Sequence, residues 1–265
     1  MSQISFLFAG VAFVRKTAPL LIFVGLYYAL AALPFLPRSA LAVSLGMQGG
    51  SYGTPYNDRY TENWALPYIG MNYKEFYIDG TEMGYTLLED STNTLNLKVW
   101  YLDAQYDAAR GCTAALRSLN SRHSTLMAGA SYLYTTPIGG FQTTLGVDAL
   151  NQSQGVTTNF SWILMNQWGG LTLVPMAGVD WNNGQQNRYY YGISDDEARR
   201  SGLDVWRPHA SVIPFVSLAA NYDWQNNWNS WVEATGRFYS STITDSPMVN
   251  KKTIAEMTVG FSYNF

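Results

Sequence analysis

The sequence contains little cysteine, histidine or charge. Among its 265 residues are one cysteine (Cys112) and two histidines, and 13% of the residues are charged. A single cysteine excludes an internal disulfide, and two distant histidines with one cysteine do not form a metal-ligand set. No glycine-rich loop carries the lysine that a phosphate-binding loop needs. We therefore expect no metal, no cofactor and no catalytic residue, and we expect Cys112 to be an incidental thiol.

Long apolar runs are also scarce. The mean hydropathy of -0.10 excludes a bundle of transmembrane helices, each of which needs about 20 apolar residues. Disorder is excluded too, because aromatic residues make up 15% of the chain. After residue 42 there are 13 basic and 19 acidic residues, so the chain has no basic excess with which to bind nucleic acid.

The one long apolar run lies near the N-terminus, at residues 20–37. Arg15 and Lys16 precede it, and the small-residue site Ala40-Leu41-Ala42 follows it. A basic region, an apolar core and such a site are the three parts of a secretory signal peptide. We predict cleavage after Ala42.

On this prediction residues 1–42 are a signal peptide, and residues 43–265 form one domain outside the cytoplasm. An uncleaved membrane anchor is the alternative. Pro34 and Pro37 weigh against it, because each would interrupt a spanning helix. The stretch before the apolar run is long for a signal peptide, which leaves the true start codon open.

Beyond the leader, apolar and polar residues alternate with a period of two. In the last segment every second residue from Ala255 to Phe265 is apolar, and the residues between them are polar or small. This period indicates a β-strand with two different faces. The segments run to about 10 to 13 residues, close to the length that a tilted strand needs to cross a bilayer.

Two all-β architectures fit this pattern: a secreted sandwich or barrel with its apolar face inside, and an outer-membrane barrel with its apolar face in lipid. The polar face is rich in Gly, Ser, Thr and Asn and carries lone charges such as Asp148, Asp180, Glu233 and Arg237. A narrow lumen lets such charges pair or meet water. Aromatic residues gather at segment ends, as in the girdles of membrane barrels. We predict an antiparallel transmembrane β-barrel.

The number of strands is less certain. Eleven segments have the pattern: 43–52, 63–73, 75–88, 94–106, 122–135, 139–151, 155–167, 170–183, 211–223, 227–240 and 253–265. Bacterial barrels normally have an even number of strands. A split of 75–88 around Gly80 gives twelve, which we predict, and the loss of one N-terminal segment gives ten. The long connections near 107–121, 183–210 and 241–252 then all lie on the outer side.

The chain ends in an aromatic strand. Phe261, Tyr263 and Phe265 occupy alternate positions, and Phe265 is the final residue of the sequence. A C-terminal strand of this kind is the signal that the barrel-assembly machinery recognises. We predict these three residues to be an assembly signal, and the strand to close the barrel against the first one.

The connection 183–210 contains a predicted short helix of about two turns. Ser194 and Glu197 have the spacing of a capping box, and Gly202 suits a helix end. Arg199 and Arg200 near its end complement the helix dipole. The loop is predicted either to plug the lumen or to dock a partner; in the second case Tyr189, Tyr190 and Tyr191 supply contact area.

Three runs in the sequence carry a family resemblance. They are YYYGISDDEARRSGL at 189–203, SRHSTLMAG at 121–129 and TDSPMV at 244–249. Together with the aromatic terminus, these runs resemble the MipA/OmpV family of Gram-negative outer-membrane proteins, over essentially the whole mature chain. The resemblance implies a barrel in the outer membrane, in contact with lipid and lipopolysaccharide and inserted by the barrel-assembly machinery.

The resemblance also implies a function. One role within the family is a scaffold that joins a murein-degrading lytic transglycosylase to a bifunctional penicillin-binding protein, while other members are antigens or adhesins. His123 and Ser124 are adjacent at a predicted strand start, where their side chains would face opposite ways, so we do not expect them to act together. We predict a non-enzymatic scaffold, with a narrow small-solute channel or a surface adhesin as the alternatives.

Overall fold

A ring of antiparallel strands forms the molecule. The computed structural model describes residues 41–58 and 61–265. Within these residues the strands are β1 (Leu41–Gly53), β2 (Thr61–Tyr73), β3 (Phe76–Asp79), β4 (Glu82–Glu89), β5 (Asn93–Leu102), β6 (Thr125–Thr136), β7 (Gly139–Asp148), β8 (Val156–Ile163), β9 (Asn166–Trp168), β10 (Leu171–Asn182), β11 (Ser211–Asp223), β12 (Trp228–Phe238) and β13 (Thr253–Asn264). Neighbours in sequence pair with one another, and the pairing of β1 with β13 closes the ring.

The ring is a barrel of twelve strands, as predicted. Residues 76–89 form two strands, β3 and β4, around a turn at Gly80 and Thr81. The thirteenth strand is a fragment, since β8 and β9 both pair with β10 and are separated only by Leu164 and Met165. The single unbroken strand predicted for 155–167 is therefore wrong, because the chain leaves the sheet at Leu164 and Met165.

The two faces of the wall confirm the membrane barrel. On β13, Met257, Val259 and Phe261 are exposed on the outside, whereas Thr258 and Ser262 are buried against the lumen. An apolar outer face and a polar inner face are the reverse of a secreted sandwich, whose apolar faces meet inside.

The predicted signal peptide stays a prediction. It lies outside the described residues except for Leu41 and Ala42, which begin β1 and pair with Tyr73 and Asn72 of β2.

The ends of the barrel differ in size. At one end the strands are joined by turns, such as Lys74–Glu75, Pro137–Ile138 and Gly169–Gly170. At the other end are the connections that contain the helices: a 3₁₀ helix (Ala108–Arg110), α1 (Ala114–Arg117), α2 (Gly184–Tyr191), α3 (Asp195–Ser201) and α4 (Ser241–Thr244). Short turns belong to the periplasmic side and long loops to the outer side. No helix in the described part of the chain combines the length and apolar character of a membrane span.

Candidate functional site

The outer connections pack together into what we term the cap, made of residues 54–58, 103–124, 149–155, 183–210 and 239–252. The cap has an apolar core of its own. Its buried members are Tyr56, Tyr106, Ala108, Leu116, Leu119, Tyr190, Tyr191, Ile193, Ile243, Met248 and Val249, and Ile213 of β11 packs with them. The ring of Tyr56 lies 4.9 Å from that of Tyr106 and 5.8 Å from that of Tyr191. The cap is therefore a packed layer and not a set of separate loops.

Helix α3 starts and ends where the sequence predicts. The Ser194 hydroxyl accepts a hydrogen bond from the Glu197 backbone N–H, and the Glu197 carboxylate accepts one from the Ser194 N–H at 3.0 Å, which completes the capping box. Gly202 ends the helix in the left-handed conformation, with φ of 75°. Helix α2, just before it, was not predicted; Asn183 caps it by accepting from the Gln186 N–H at 2.9 Å.

Glu197 also has a second role, which the sequence did not reveal. Its Oε1 accepts from Arg122 Nη2 at 2.8 Å and from the Asn120 N–H at 3.0 Å, and both charged side chains are buried. Burial by itself would raise the pKa of Glu197, but the hydrogen bonds from Ser194, Asn120 and Arg122 outweigh it and hold the pKa at about 2. This ion pair joins the connection after β5 to the connection after β10.

The three tyrosines lie mainly inside the cap. Tyr190 is 1% exposed and Tyr191 8%, and only Tyr189 is partly accessible. The Tyr190 hydroxyl donates to the His123 carbonyl at 3.0 Å, and the Tyr189 hydroxyl accepts from the His123 N–H at 3.1 Å. Contact area for a partner therefore does not come from Tyr190 or Tyr191 in this arrangement.

The charged face of α3 is the accessible part of the predicted loop. Arg199 pairs with Asp196, and both side chains are largely exposed. Arg200 instead turns toward the end of α1 within the cap, where it donates to the Ser118 carbonyl at 2.7 Å and to Asn120 Oδ1 at 2.6 Å. Of the residues proposed for docking, Arg199 is exposed and pairs with a neighbour on its own helix, and its role in docking stays a prediction.

His123 and Ser124 do not form a catalytic pair. The Ser124 hydroxyl donates to Asp103 Oδ1 at 2.8 Å, and the Tyr52 hydroxyl donates to Asp103 Oδ2 at 2.7 Å, while the His123 side chain is exposed. Burial, added to by the charges of Glu62 and Glu256, raises the pKa of Asp103 to about 7. The Ser124 hydroxyl is therefore directed at Asp103 and not at the His123 imidazole.

Cys112 lies in the cap as a free, partly buried thiol, and its N–H donates to the Asn57 carbonyl at 3.2 Å. Over the two described ranges, no group of three or more His, Cys, Asp or Glu side chains could hold a metal ion.

Charged side chains pair along the inner face of the barrel wall, between strands that are adjacent or separated by one strand. Arg237 contacts both Asp180 and Glu256, the latter at 3.2 Å, and Lys98 Nζ lies 2.8 Å from Glu82 Oε2. Further toward the periplasm the rings of Tyr68 and Trp231 meet at 4.8 Å, although their strands are separated by β13 and β1. These contacts narrow the lumen.

The terminal strand presents its aromatic side chains to the outside. The rings of Tyr263 and Phe265 lie 5.0 Å apart, and Trp228 of β12 lies 5.3 Å from Tyr263. The N–H of Phe265 donates to the Val43 carbonyl at 2.9 Å, so the end of β13 is fixed against β1. Recognition of Phe261, Tyr263 and Phe265 by the assembly machinery stays a prediction.

A family model described as "MltA-interacting protein MipA" matches residues 45–265. The chain belongs to the MltA-interacting protein family. It is 36% identical to the MltA-interacting protein of Escherichia coli (strain K12) over 84% of this chain and 90% of that one. It is also 23% identical to the outer membrane protein OmpV of Vibrio cholerae, over 51% of this chain and 52% of the relative.

The solved structures similar to the chain include the NanC porin, with a TM-score of 0.43, 10% identity and coverage of 83% of this chain and 98% of that one. The chain is an outer-membrane protein of the MipA type. The runs that carry the resemblance in the sequence come together in the cap. Arg122 belongs to the run 121–129 and Glu197 to the run 189–203, and the two form the buried ion pair.

Proposed function

We propose that this barrel is a non-catalytic anchor that holds a murein-degrading lytic transglycosylase, together with a bifunctional penicillin-binding protein, at the inner side of the outer membrane. The observation that carries the proposal is the 36% identity to a relative whose name states that it interacts with MltA. Two enzymes on one anchor meet at a high effective concentration without any change in either active site.

Only the periplasmic end of the barrel can meet such enzymes, because murein lies in the periplasm. The turns at this end are short, but they carry exposed charge. Among the described residues, the exposed acidic residues at this end are Glu75, Glu89, Asp90 and Asp223, against a single lysine, Lys74. A partner with a basic surface would be steered to this end by complementary charge.

Asp90 also shapes its turn. Its carboxylate accepts from the backbone N–H groups of Thr92 and Asn93, each at 2.8 Å, and these bonds lower the pKa of Asp90 to about 2. A substitution there would disturb the turn itself. Glu75 and Glu89 are better positions for a test of charge, since no side-chain hydrogen bond of theirs is found in the described residues.

The test is a pull-down from detergent-solubilised outer membranes with the full barrel as bait, analysed by mass spectrometry. We expect recovery of a lytic transglycosylase and a penicillin-binding protein with the parent chain. The Glu75→Lys/Glu89→Lys variant should recover much less, and its remaining binding should respond less to salt. The matched control is Asp204→Lys/Asp245→Lys, which makes the same charge change at exposed positions of the cap.

Two results would count against the anchor. If the parent chain recovers no murein enzyme, the proposal is wrong. If both double variants lose the enzymes equally, the partner does not recognise the periplasmic turns.

A narrow solute channel is the second candidate function, favoured by the polar lumen, and a steady single-channel conductance in planar bilayers would support it.

A further inference from the structure

Below the cap the lumen contains an accessible chamber. Its roof is the ion-pair group of Arg237, Asp180 and Glu256. The Arg237 side chain is 29% exposed, and this exposure is toward the lumen because the residue lies on the inner face of β12. The floor, nearer the periplasm, is the pair of rings of Tyr68 and Trp231. A solute of small size can therefore occupy the space between this roof and this floor.

The floor of the chamber is aromatic. A Cβ added to Gly260 of β13 would collide with the indole ring of Trp231, so this ring lies directly over the glycine. The ring of Tyr68 meets the indole at 4.8 Å, and the Tyr68 hydroxyl donates to Asp79 Oδ1 at 2.9 Å. Tyr68 lies on β2 and Trp231 on β12, so the floor spans the closing pair of strands, β13 and β1. It offers ring surface to whatever lies above it.

Glu233 lies between roof and floor, at the next inward position above Trp231 on β12. The Ser217 hydroxyl donates to Glu233 Oε1 at 2.8 Å, and the Thr235 hydroxyl lies 3.0 Å from the Ser217 oxygen. Among the described residues no cationic side chain forms an ion pair with Glu233, and nothing donates to its Oε2. A carboxylate held away from bulk water is costly without a countercharge. Glu233 is therefore a group that a cation would stabilise.

Thr258 is a second group at the same place that has no partner. It lies directly opposite Glu233 in the sheet, at the next inward position above Gly260, and is 5% exposed. Its buried Oγ1 has no hydrogen-bond partner among the residues that the structure describes. A buried hydroxyl left without a partner costs free energy. A single donor group placed beside Glu233 and above the indole of Trp231 would satisfy both oxygens.

The inner face of the wall as a whole carries an excess of carboxylates. In the described strands the inward-facing acidic residues outnumber the basic ones: Glu62, Asp79, Glu82, Asp148, Asp180, Glu233 and Glu256, against Lys98 and Arg237. Lys98 already pairs with Glu82, and Arg237 pairs with both Asp180 and Glu256. An anionic solute would be repelled from such a chamber, whereas a cation would be attracted.

We propose that the chamber binds a small aliphatic amine through its primary ammonium group. An ammonium has three N–H donors and no acceptor, so it can donate to Glu233 Oε2 and to Thr258 Oγ1 together. Its charge also interacts favourably with the indole of Trp231, and the methylene chain lies over the aromatic floor. A metal ion fits less well, because no group of three or more His, Cys, Asp or Glu side chains in the described ranges could hold one.

The test is isothermal titration calorimetry of the full barrel in detergent at constant ionic strength. The ligands are 1,4-diaminobutane, 1,4-butanediol and succinate, which share a four-carbon chain and carry ammonium, hydroxyl and carboxylate groups at its ends. We expect the diamine alone to bind. Glu233→Gln keeps the shape of the side chain and removes its charge, so it should weaken binding of the diamine about tenfold. Glu89→Gln makes the same change at an exposed position near a periplasmic turn and should leave binding unchanged.

Thr258→Val removes the second acceptor at nearly constant volume and should weaken binding several-fold, so it carries the same comparison if Glu233→Gln does not fold. The proposal is overturned if the diamine does not bind, if butanediol binds equally well, or if Glu89→Gln weakens binding as much as Glu233→Gln. Glu233 and Thr258 lie inside the lumen, so neither variant should change the recovery of murein enzymes. The amine site and the anchor can therefore fail independently.

Discussion

The cap and the periplasmic turns are opposite solutions to joining strands. The cap uses long connections, four short helices and a 3₁₀ turn, and it buries a core centred on Tyr56, Tyr190 and Tyr191. The turns use two to four residues and bury almost nothing. We therefore expect the cap to loosen as a unit while the barrel beneath it stays closed. Substitutions in the turns can change only the exposed side chains, because the turn backbone is fixed by the strands on either side.

The largest expected effect separates the stability of the cap from that of the barrel. Tyr190→Ala removes a ring that is 1% exposed, together with its hydrogen bond to the His123 carbonyl. Loss of a large buried ring typically costs about 3–5 kcal/mol. We expect hydrogen exchange in 183–210 and 103–124 to rise strongly, while the strands remain protected.

Leu97→Ala is the control, since Leu97 lies on the exposed outer face of β5. If Tyr190→Ala instead melts the strands together with the loops, the cap and the barrel are one cooperative unit, and the contrast between the two ends is wrong.

The second effect is that the stability of the folded cap depends on pH. The pKa of Glu197 is held at about 2, below its usual value near 4.3. A lowered pKa stabilises the folded state above the usual pKa, and this stabilisation is lost as the pH falls from about 4.5 toward 2. At 1.36 kcal/mol per pKa unit the loss amounts to about 3 kcal/mol. Proteolysis of the cap by pepsin should rise over this range.

Glu197→Gln sharpens the same point. It keeps the shape of the side chain but cannot titrate, so its cap should already be weak at neutral pH and should change little down to pH 2. A pH profile that is equal in the two proteins would show that Glu197 does not control the cap.

The third effect compares two glycines directly. Gly202 in the cap and Gly169 in a periplasmic turn have positive φ, of 75° and 58°, and neither has an atom within 4 Å of an added Cβ. Alanine costs about 1–2 kcal/mol in such a conformation. We expect Gly202→Ala to raise hydrogen exchange only around α3, and Gly169→Ala only at the adjacent ends of β9 and β10. Equal patterns would mean that the two ends are coupled.

The smallest expected effect on stability concerns Phe265. Its side chain is 73% exposed, so Phe265→Ala removes little packing and should leave the resistance of the folded barrel to detergent unchanged. If Phe265 is read during assembly, the amount of barrel in the outer membrane should fall in cells. Tyr222→Ala, which removes an exposed aromatic of β11, is the control and should not reduce the yield.

The wall and the short helix could be predicted because their causes are local. Alternation between faces is enough to place Met257 outside and Thr258 inside, since a strand has only two faces. The capping box of Ser194 and Glu197 spans three residues and forms its own hydrogen bonds. The turn at Gly80 follows from the need for an even number of strands. Each of these inferences needs only neighbouring residues or one counting rule.

The contents of the cap could not be predicted, because they depend on contacts between distant residues. Arg122 and Glu197 lie 75 positions apart, and neither position has a periodicity that points to the other. The sequence shows three tyrosines in a polar loop, a pattern that fits an exposed surface and a buried core equally well. The break at Leu164 coincides with a run of four apolar residues, 162–165, but such a run does not by itself distinguish an interrupted strand from a continuous one. At this break the Leu164 N–H donates to the carbonyl of Pro175, which lies on the neighbouring strand β10.

The seam between β1 and β13 joins residues that are far apart in the order of synthesis. The Ser44 hydroxyl donates to Asn264 Oδ1 at 2.6 Å, across 220 positions of the chain. A contact with so great a separation forms late, because the intervening chain must first be ordered. Export and insertion therefore have to hold an unfinished sheet with two free edges until its last strand arrives. A chain stalled before β13 would expose both edges to neighbouring proteins, which makes timely delivery of that strand a requirement for safe folding.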